Sequence, residues 1–462
     1  MELIVILNPS SGNRKATSFY QDILRPFLEA VEIPFELLET ETNGDGERLG
    51  RKLRARWDED TQSQQGGSEN VVCAVLGGDG TSHELITGFY HDLFRAQACT
   101  SLDTNSSQPP RLEIIPIPMG TANALFNHLH PPGFIPPTPE STLESQLVDK
   151  FISTEQDRQN LSSVLSYLDH RRTSSSSTSA SQTNRRSSTL VSLPLQKTSI
   201  YAAGQEDPID SFLSHIVTST ALHASLLHVS ETLRNDHPGL ERFKLAAEKV
   251  IDVEFEATLR LFPPPPLTSS ASSTASPAVS TPIELFSPAS GKFHPVPSAS
   301  SGVFLQGPWA YCLASTLVTR LEPQFVILPL LERIPPKEGG PGTADLILVR
   351  PGRGKAVREA HKEEDRRSQW QGRVRKALGG AYRDGKHVDE VLQDPIESPE
   401  GGAEPEGEVQ VYRCAGWEWT PTRTSELSHL VCADGAIHQI PDGGRAVCQV
   451  VGGLEQLVWV WK

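Results

Sequence analysis

The chain is 462 residues long with a net charge of −15, and hydrophobic residues make up only 37% of it alongside 36 Pro. That length accommodates two or three domains, and the thin apolar share means that segments without a core dilute those that have one. The acidic balance argues against a nucleic-acid binder, which needs a basic face, but not against a membrane-surface enzyme, since a local basic patch can sit within an acidic total. No stretch approaches the roughly 18 apolar residues of a transmembrane helix, and the six cysteines show no CxxC pair or zinc spacing, as expected of reduced thiols in a cytoplasmic protein.

In chain order, Leu3–Leu7 is a short, wholly apolar run, the mark of a strand buried on both faces. A helix-like stretch follows from about Lys15 to Val31, then a strand over Pro34–Glu39 and a helix over Asp45–Trp57. Val71–Leu76 reads as a third strand, Ser82–Phe94 as a helix, Leu112–Ile117 as a fourth strand, and a further helix begins at Thr121. Alternation at this spacing predicts βαβ units and a mostly parallel sheet, an α/β domain. After Pro131-Pro132 the pattern breaks. Low-complexity tracts at 171–189 and 263–302, and an irregular region at about 352–407, read as disordered insertions. Between them lie strand-like segments at Ile251–Leu261, Phe325–Leu328, Ala344–Val349, Val409–Trp419, Leu427–Cys432 and Leu457–Trp461. The expected division is an α/β domain at 1–135, a connecting segment with a Ser-rich linker at 136–210 and an antiparallel β-rich domain at 211–462.

Three glycine-bearing turns each follow an apolar strand and open a helix: Asn8–Gly12, Gly77–Thr81 and Pro118–Asn123. In a parallel sheet all three sit at the carboxyl ends of strands, the ligand-binding rim of such folds. Glycines let backbone approach closely, and N–H groups at a helix N-terminus attract phosphate. Asp79 inside such an anion cradle is explained by a magnesium–nucleotide complex, or by an acceptor hydroxyl that must lose its proton. There is no GxxxxGK[ST], so the turns are not a P-loop.

The Asn8-Pro9 turn with Gly12, the Gly77–Thr81 turn with Glu84 after it, and Pro118-Met119-Gly120-Thr121-Ala122-Asn123 resemble, in order and spacing, the catalytic domain of diacylglycerol and sphingosine kinases. The Asn123-Ala124-Leu125 continuation is more similar to the sphingosine and ceramide kinase branch. Leu226–Phe243, Gly342–Arg350, Tyr412–Pro421 and Asp434-Gly435 carry a weaker resemblance into the second half. The resemblance implies a fold like the diacylglycerol and NAD kinases, ATP and magnesium as cofactors, and Asp79 as the catalytic residue. It implies nucleotide contacts at Asn8, Thr40, Gly77, Gly78, Gly80, Thr81, Gly120 and Thr121, with Arg234 and Arg242 facing phosphate; it assigns no side chain as a dedicated metal ligand. The expected activity is transfer of the γ-phosphate of ATP to a lipid hydroxyl, first of all that of a sphingoid long-chain base. The lipid tails would lie in the β-rich domain, and the protein would be cytoplasmic with peripheral membrane association.

Two departures bear on this. The family's Asp-Gly-Glu is here Asp434-Gly435-Ala436, and the acidic residue that receives the amine in sphingosine kinases is absent from Ala224–Leu227. A buried amine without a carboxylate is costly, so diacylglycerol and ceramide stay open as acceptors. A soluble NAD kinase and a catalytically silent lipid- or nucleotide-binding protein are the remaining alternatives.

Overall fold

The computed structural model describes residues 2–12, 14–42, 44–63, 70–95, 110–134, 147, 149–152, 154–176, 189–237, 239, 241–265, 282–297, 301–337, 342–392, 407–422, 425–451 and 457–462. The chain divides into two compact units, Met1–Pro194 with Gly453–Lys462, and Leu195–Gly452.

The first unit opens with β1 (Leu3–Leu7), buried along its whole length. A helical stretch follows, from α1 (Ala16–Phe19) through a π turn at Tyr20–Leu24 into α2 (Arg25–Ala30). Next come β2 (Phe35–Glu39), α3 (Asp45–Ser63), β3 (Asn70–Gly77), α4 (Asp79–Phe89), α5 (His91–Arg95), β4 (Arg111–Pro118) and α6 (Ala124–Leu129). The helices α7 (Glu155–Asn160) and α8 (Ser162–Ser176) and the strand β5 (Leu190–Ser192) complete the run. The sheet order is β2-β1-β3-β4, then the chain's C-terminal strand Val458–Trp461, then β5. The pairs β1–β2, β1–β3 and β3–β4 are parallel. α3 and α4 cross with their backbones touching, since a Cβ on Gly88 would lie 2.0 Å from the Glu47 carbonyl.

Two expectations about this unit need correction. The last strand, read from sequence with the β-rich domain, instead pairs parallel with β4 and antiparallel with β5. What draws it there is a buried carboxylate: Glu113 accepts from Asn70 Nδ2 at 2.9 Å and from Trp461 Nε1 at 3.1 Å, and is paired with Arg111. The Tyr90 hydroxyl sits 2.7 Å from the Leu457 carbonyl and 2.9 Å from that of Pro110. The unit also runs past residue 135, because Leu161, Val164, Leu165 and Leu168 join the same core as β1 and β3. Of the Ser-rich tract at 171–189, residues 171–176 continue α8, while 177–188 lie outside the described residues.

The second unit contains β6 (Gln196–Tyr201), β7 (Asp210–Ser214), β8 (Thr218–Thr220), α9 (Ala221–Thr232), α10 (Glu241–Val250) and β9 (Ala257–Phe262). It continues through β10 (Glu284–Ser287), β11 (Lys292–Pro295), β12 (Val303–Gln306), β13 (Tyr311–Ser315), β14 (Arg320–Glu322), β15 (Phe325–Val326), α11 (Leu330–Arg333) and β16 (Ala344–Val349). Last come α12 (Lys355–Arg358), α13 (Glu363–Ala381), β17 (Val409–Cys414), β18 (Gly416–Pro421), β19 (Leu430–Ala433), β20 (Ala436–Gln439) and β21 (Arg445–Val450). Its two main sheets run β11-β10-β17-β16-β13-β8-β19-β20 and β12-β9-β18-β21-β6-β7. This is the expected antiparallel β-rich architecture.

Parts of the expected insertions form regular elements. Residues 284–295, inside the Pro/Ser-rich tract, form the β10–β11 hairpin, closed by Phe286 against Phe293 at 5.6 Å between ring centroids. Inside 352–407, α13 buries Trp370, Val374 and Ala377 along one stripe, a spacing of four and three that suits a helix face. Residues 266–281, 298–300 and 393–406 lie outside the described residues. The single strand expected over Val409–Trp419 is two strands in different sheets. At the corner a Cβ on Gly416 would lie 2.2 Å from the Cys448 carbonyl, so only glycine lets the chain turn there.

Candidate functional site

The site is assembled in the first unit at the carboxyl ends of β1, β3 and β4. Strand β1 delivers Asn8, whose Nδ2 donates to Thr81 Oγ1 at 2.9 Å, while its Oδ1 accepts from Ser10 N at 3.0 Å. One side chain thus ties the first turn to the second. The first turn also meets the third: Gly12 has φ +52°, and a Cβ there would lie 2.4 Å from the Met119 carbonyl.

Strand β3 delivers the second turn, and α4 begins at Asp79 with Gly78 as its N-cap. The first-turn N–H groups of a helix lack intrahelical acceptors and carry the positive end of its dipole. Gly78 and Gly120 approach so closely that a Cβ on Gly120 would lie 2.3 Å from the Gly78 Cα. A Cβ on Gly77 would lie 2.6 Å from Thr81 Oγ1, whereas one on Gly80 meets nothing within 4 Å. Gly77, Gly78 and Gly120 are therefore required by packing within the cradle. Gly80 is bounded by open space, where a bound group would come near the backbone.

Strand β4 delivers the third turn. Asn123 sits in the left-handed region at φ 52°, which Asn tolerates better than most residues. Its amide closes the turn on itself: Oδ1 accepts from Gly120 N at 2.8 Å, and Nδ2 donates to the Gly120 carbonyl at 2.9 Å. The Asp79 carboxylate crosses to this turn, accepting from Ala124 N at 2.7 Å and from Leu125 N at 3.2 Å. Both oxygens are thereby oriented by the start of α6, and Asp79 is a structural clamp as well as the sole acidic side chain within the three turns.

The other expected contacts fall as follows. Thr40 ends β2 and is buried; its N–H donates to the Leu7 carbonyl at 2.9 Å, beside the Asn8 turn. Thr121 is exposed on the third turn. Asp45, just beyond Thr40, is held at a pKa of about 2 by the Arg48 guanidinium and by the Glu41 N–H. Arg234 and Arg242 belong to the second unit. Arg234 follows α9 and pairs with Glu231 at 2.7 Å. Arg242 lies on α10, largely buried, its guanidinium 4.6 Å from the Phe243 ring; burial and then the nearby positive charge of Arg234 pull its pKa down.

Three residues of the quoted motifs have roles that the sequence did not assign. Glu84 accepts from Gly44 N at 3.2 Å and Gly46 N at 3.0 Å, pinning the start of α3 to α4. Asn123 closes the third turn from the left-handed region; an Asn at the head of a helix, a residue type that tolerates that region, was the available signal. Asp434, at φ +50° in the β19–β20 turn, accepts from the backbone N–H groups of His215, Ile216 and Val217 at 2.8, 2.9 and 2.9 Å. The Asp-Gly pair after β19 was visible in sequence, but its partners lie about two hundred residues upstream.

The diacylglycerol kinase catalytic domain family matches residues 2–155, the stretch that holds all three turns. The matched stretch lies wholly within the first unit. Mouse sphingosine kinase 1 is 34% identical over 87 residues, covering 19% of this chain and 19% of the mouse protein. Human sphingosine kinase 1 is 31% identical over 87 residues, with the same coverage of 19% on each side. These alignments therefore span about a fifth of the curated relatives' length. Among solved structures, a putative diacylglycerol kinase from Bacillus anthracis str. Sterne gives a TM-score of 0.42 at 10% identity, covering 100% of this chain and 97% of that one.

Proposed function

We propose that this protein is a kinase that transfers the γ-phosphate of ATP to the hydroxyl of a lipid, with a sphingoid long-chain base as the first acceptor to test. The observation that carries the reading is the convergence of three glycine turns on one rim, with the Asp79 carboxylate fixed among them. The α4 N-terminus and the open backbone at Gly80 suit an anion, and a single carboxylate beside it suits an anion that arrives with a cation. Magnesium, when bound, would neutralise charge on the phosphates, and Asp79 is the residue of these turns that could hold it. Arg234 and Arg242, two cations near enough to repel each other, would be relieved by a phosphate.

In the proposed transfer the lipid oxygen forms a bond to the γ-phosphorus as the bond to the β–γ bridging oxygen breaks. ADP leaves with the bonding electrons, and Asp79 orients the hydroxyl and takes its proton. Such a reaction asks mainly for positioning and charge neutralisation. Asn8 and Asn123 supply the positioning, because they lock the first turn to the second and close the third. The lipid would reach the site from a membrane surface.

The test is transfer of labelled γ-phosphate from Mg-ATP to sphingosine, dihydrosphingosine, diacylglycerol and ceramide in mixed micelles, with NAD as a soluble control. Transfer to one lipid, lost in Asp79→Asn while ATP is still bound, supports the proposal and names the acceptor. Transfer to NAD alone overturns it. A second reading, a silent binding protein on a kinase scaffold, is favoured by Ala436, which stands where the resemblance expects a glutamate. Bound ATP without transfer to any acceptor would establish that reading.

A further inference from the structure

Strand alternation divides the six-stranded sheet of the second unit into two unlike faces. Leu259, Leu261, Trp417 and Trp419 point inward and are buried. Across the opposite face, the register sets Arg260 beside Phe304 on one side and Glu418 on the other, with Val447 next beyond Glu418. Phe304 is 56% exposed, among the most exposed large hydrophobic side chains described. The Arg260 guanidinium lies 5.0 Å from the Phe262 ring and 5.4 Å from the Phe304 ring, and that of Arg445 lies 4.4 Å from the Tyr201 ring. Lys197, two positions before the Val447 partner Ser199 in the outward alternation, adds a third cation. Against these, Glu418 is the one carboxylate among the described strand residues of this face.

We propose that this face is a docking surface for an anionic lipid bilayer. The chain as a whole carries a charge of −15, so an anionic surface repels it except where cations are gathered, and here they are gathered over aromatic rings. Aromatic side chains settle at the headgroup level of a bilayer, and each adjacent Arg or Lys adds attraction to anionic headgroups. Guanidinium groups resting on rings cover apolar surface while keeping donors free for headgroups; here Arg445 also pairs with Glu418 at 3.5 Å and Arg260 Nε donates to the Ser301 carbonyl at 2.6 Å. A second copy of the chain fits less well, because a two-fold contact would set this cationic face against itself. The inference deepens the lipid-kinase reading by naming the surface that meets the membrane, but vesicle binding is measured without nucleotide, so its failure and the failure of phosphoryl transfer are separate results.

The experiment is co-sedimentation of the full chain with phosphatidylcholine vesicles, with and without phosphatidylserine. The expected result is binding that requires phosphatidylserine and weakens with added salt. Arg260→Glu with Arg445→Glu is expected to weaken it by at least about tenfold, and Phe304→Ser by roughly threefold. Arg25→Glu with Arg51→Glu, both exposed in the other unit, is the matched charge control and should bind as the parent does. Thermal melting checks that each variant is folded, and light scattering checks its mass. Equal binding to both vesicle types, or undiminished binding by the folded double variant, overturns the proposal. So does a dimer that the double variant dissolves.

Discussion

The two units solve the problem of holding a polar turn in opposite ways. In the first, the backbone cradle comes from three short turns, each within a few residues of a strand end, and glycine supplies the closeness. In the second, the corresponding turn at Asp434-Gly435 is held by a carboxylate that reaches backbone N–H groups some 217 to 219 residues earlier. The first arrangement is modular and the second is a staple across topology. They should fail differently: damage to a glycine turn costs chemistry first, and damage to the staple costs folding first.

The sharpest break is Asp434→Ala. It leaves three backbone N–H groups and the His215 ring, 2.7 Å away, without their buried acceptor. A loss of about 4 kcal/mol is expected, read as a fall in the urea midpoint of the second unit's tryptophan fluorescence. Gly120→Ala should do the converse. Its Cβ collides with the Gly78 backbone, and a misplacement of about 1 Å at a reacting centre costs on the order of 100-fold. Phosphoryl transfer should slow by about that factor and ATP binding by calorimetry should weaken, while that tryptophan transition stays in place. A normal affinity would show that the Gly78–Gly120 contact does not shape the cradle.

Smaller effects sharpen the contrast. Tyr90→Phe removes the hydroxyl that tethers Leu457, and should cost about 1–2 kcal/mol in melting, loosening the C-terminal strand in hydrogen exchange. The mildest test is acid. Burial keeps His130 neutral, lowering its pKa to about 3. The unfolded chain therefore takes up that proton first, and the contribution is complete above pH 6.5 and lost as pH falls toward 3. The slope is up to about 1.4 kcal/mol per pH unit. His223 and His387, both lowered to about 4 by burial, act in the same direction in the second unit. His130→Gln should flatten the pH dependence of the first unit alone, and an unchanged slope there would place the titration elsewhere.

The legibility of the sequence follows the same divide. β1 and β3 were readable because parallel strands buried on both faces are near-continuous apolar runs, and the turns were readable because close backbone approach admits little but glycine. The C-terminal strand was misassigned because Val458–Trp461 pairs with β4 across more than three hundred residues, and nothing in its four residues names its partner. The β10–β11 hairpin was hidden by its Pro/Ser-rich surroundings, with one aromatic contact closing it. Helix α13 was obscured by its charge, since only Trp370, Val374 and Ala377 mark its buried stripe. Asp79 stood out as a carboxylate in an anion cradle, yet its grip on Ala124 and Leu125 joins two turns that are adjacent only once β3 and β4 pair.

By itself the sequence determined the alternating α/β first unit, the three turns and their acidic residue, because each rests on contacts within a few positions of the chain. The tertiary structure alone decided which sheet receives the last strand, where the chain turns at Gly416 from one sheet to the other, and what Asp434 holds. Those outcomes depend on which distant backbone groups a strand or carboxylate finds free to bond. A local stretch of residues does not encode that choice; the pairing of the whole chain does.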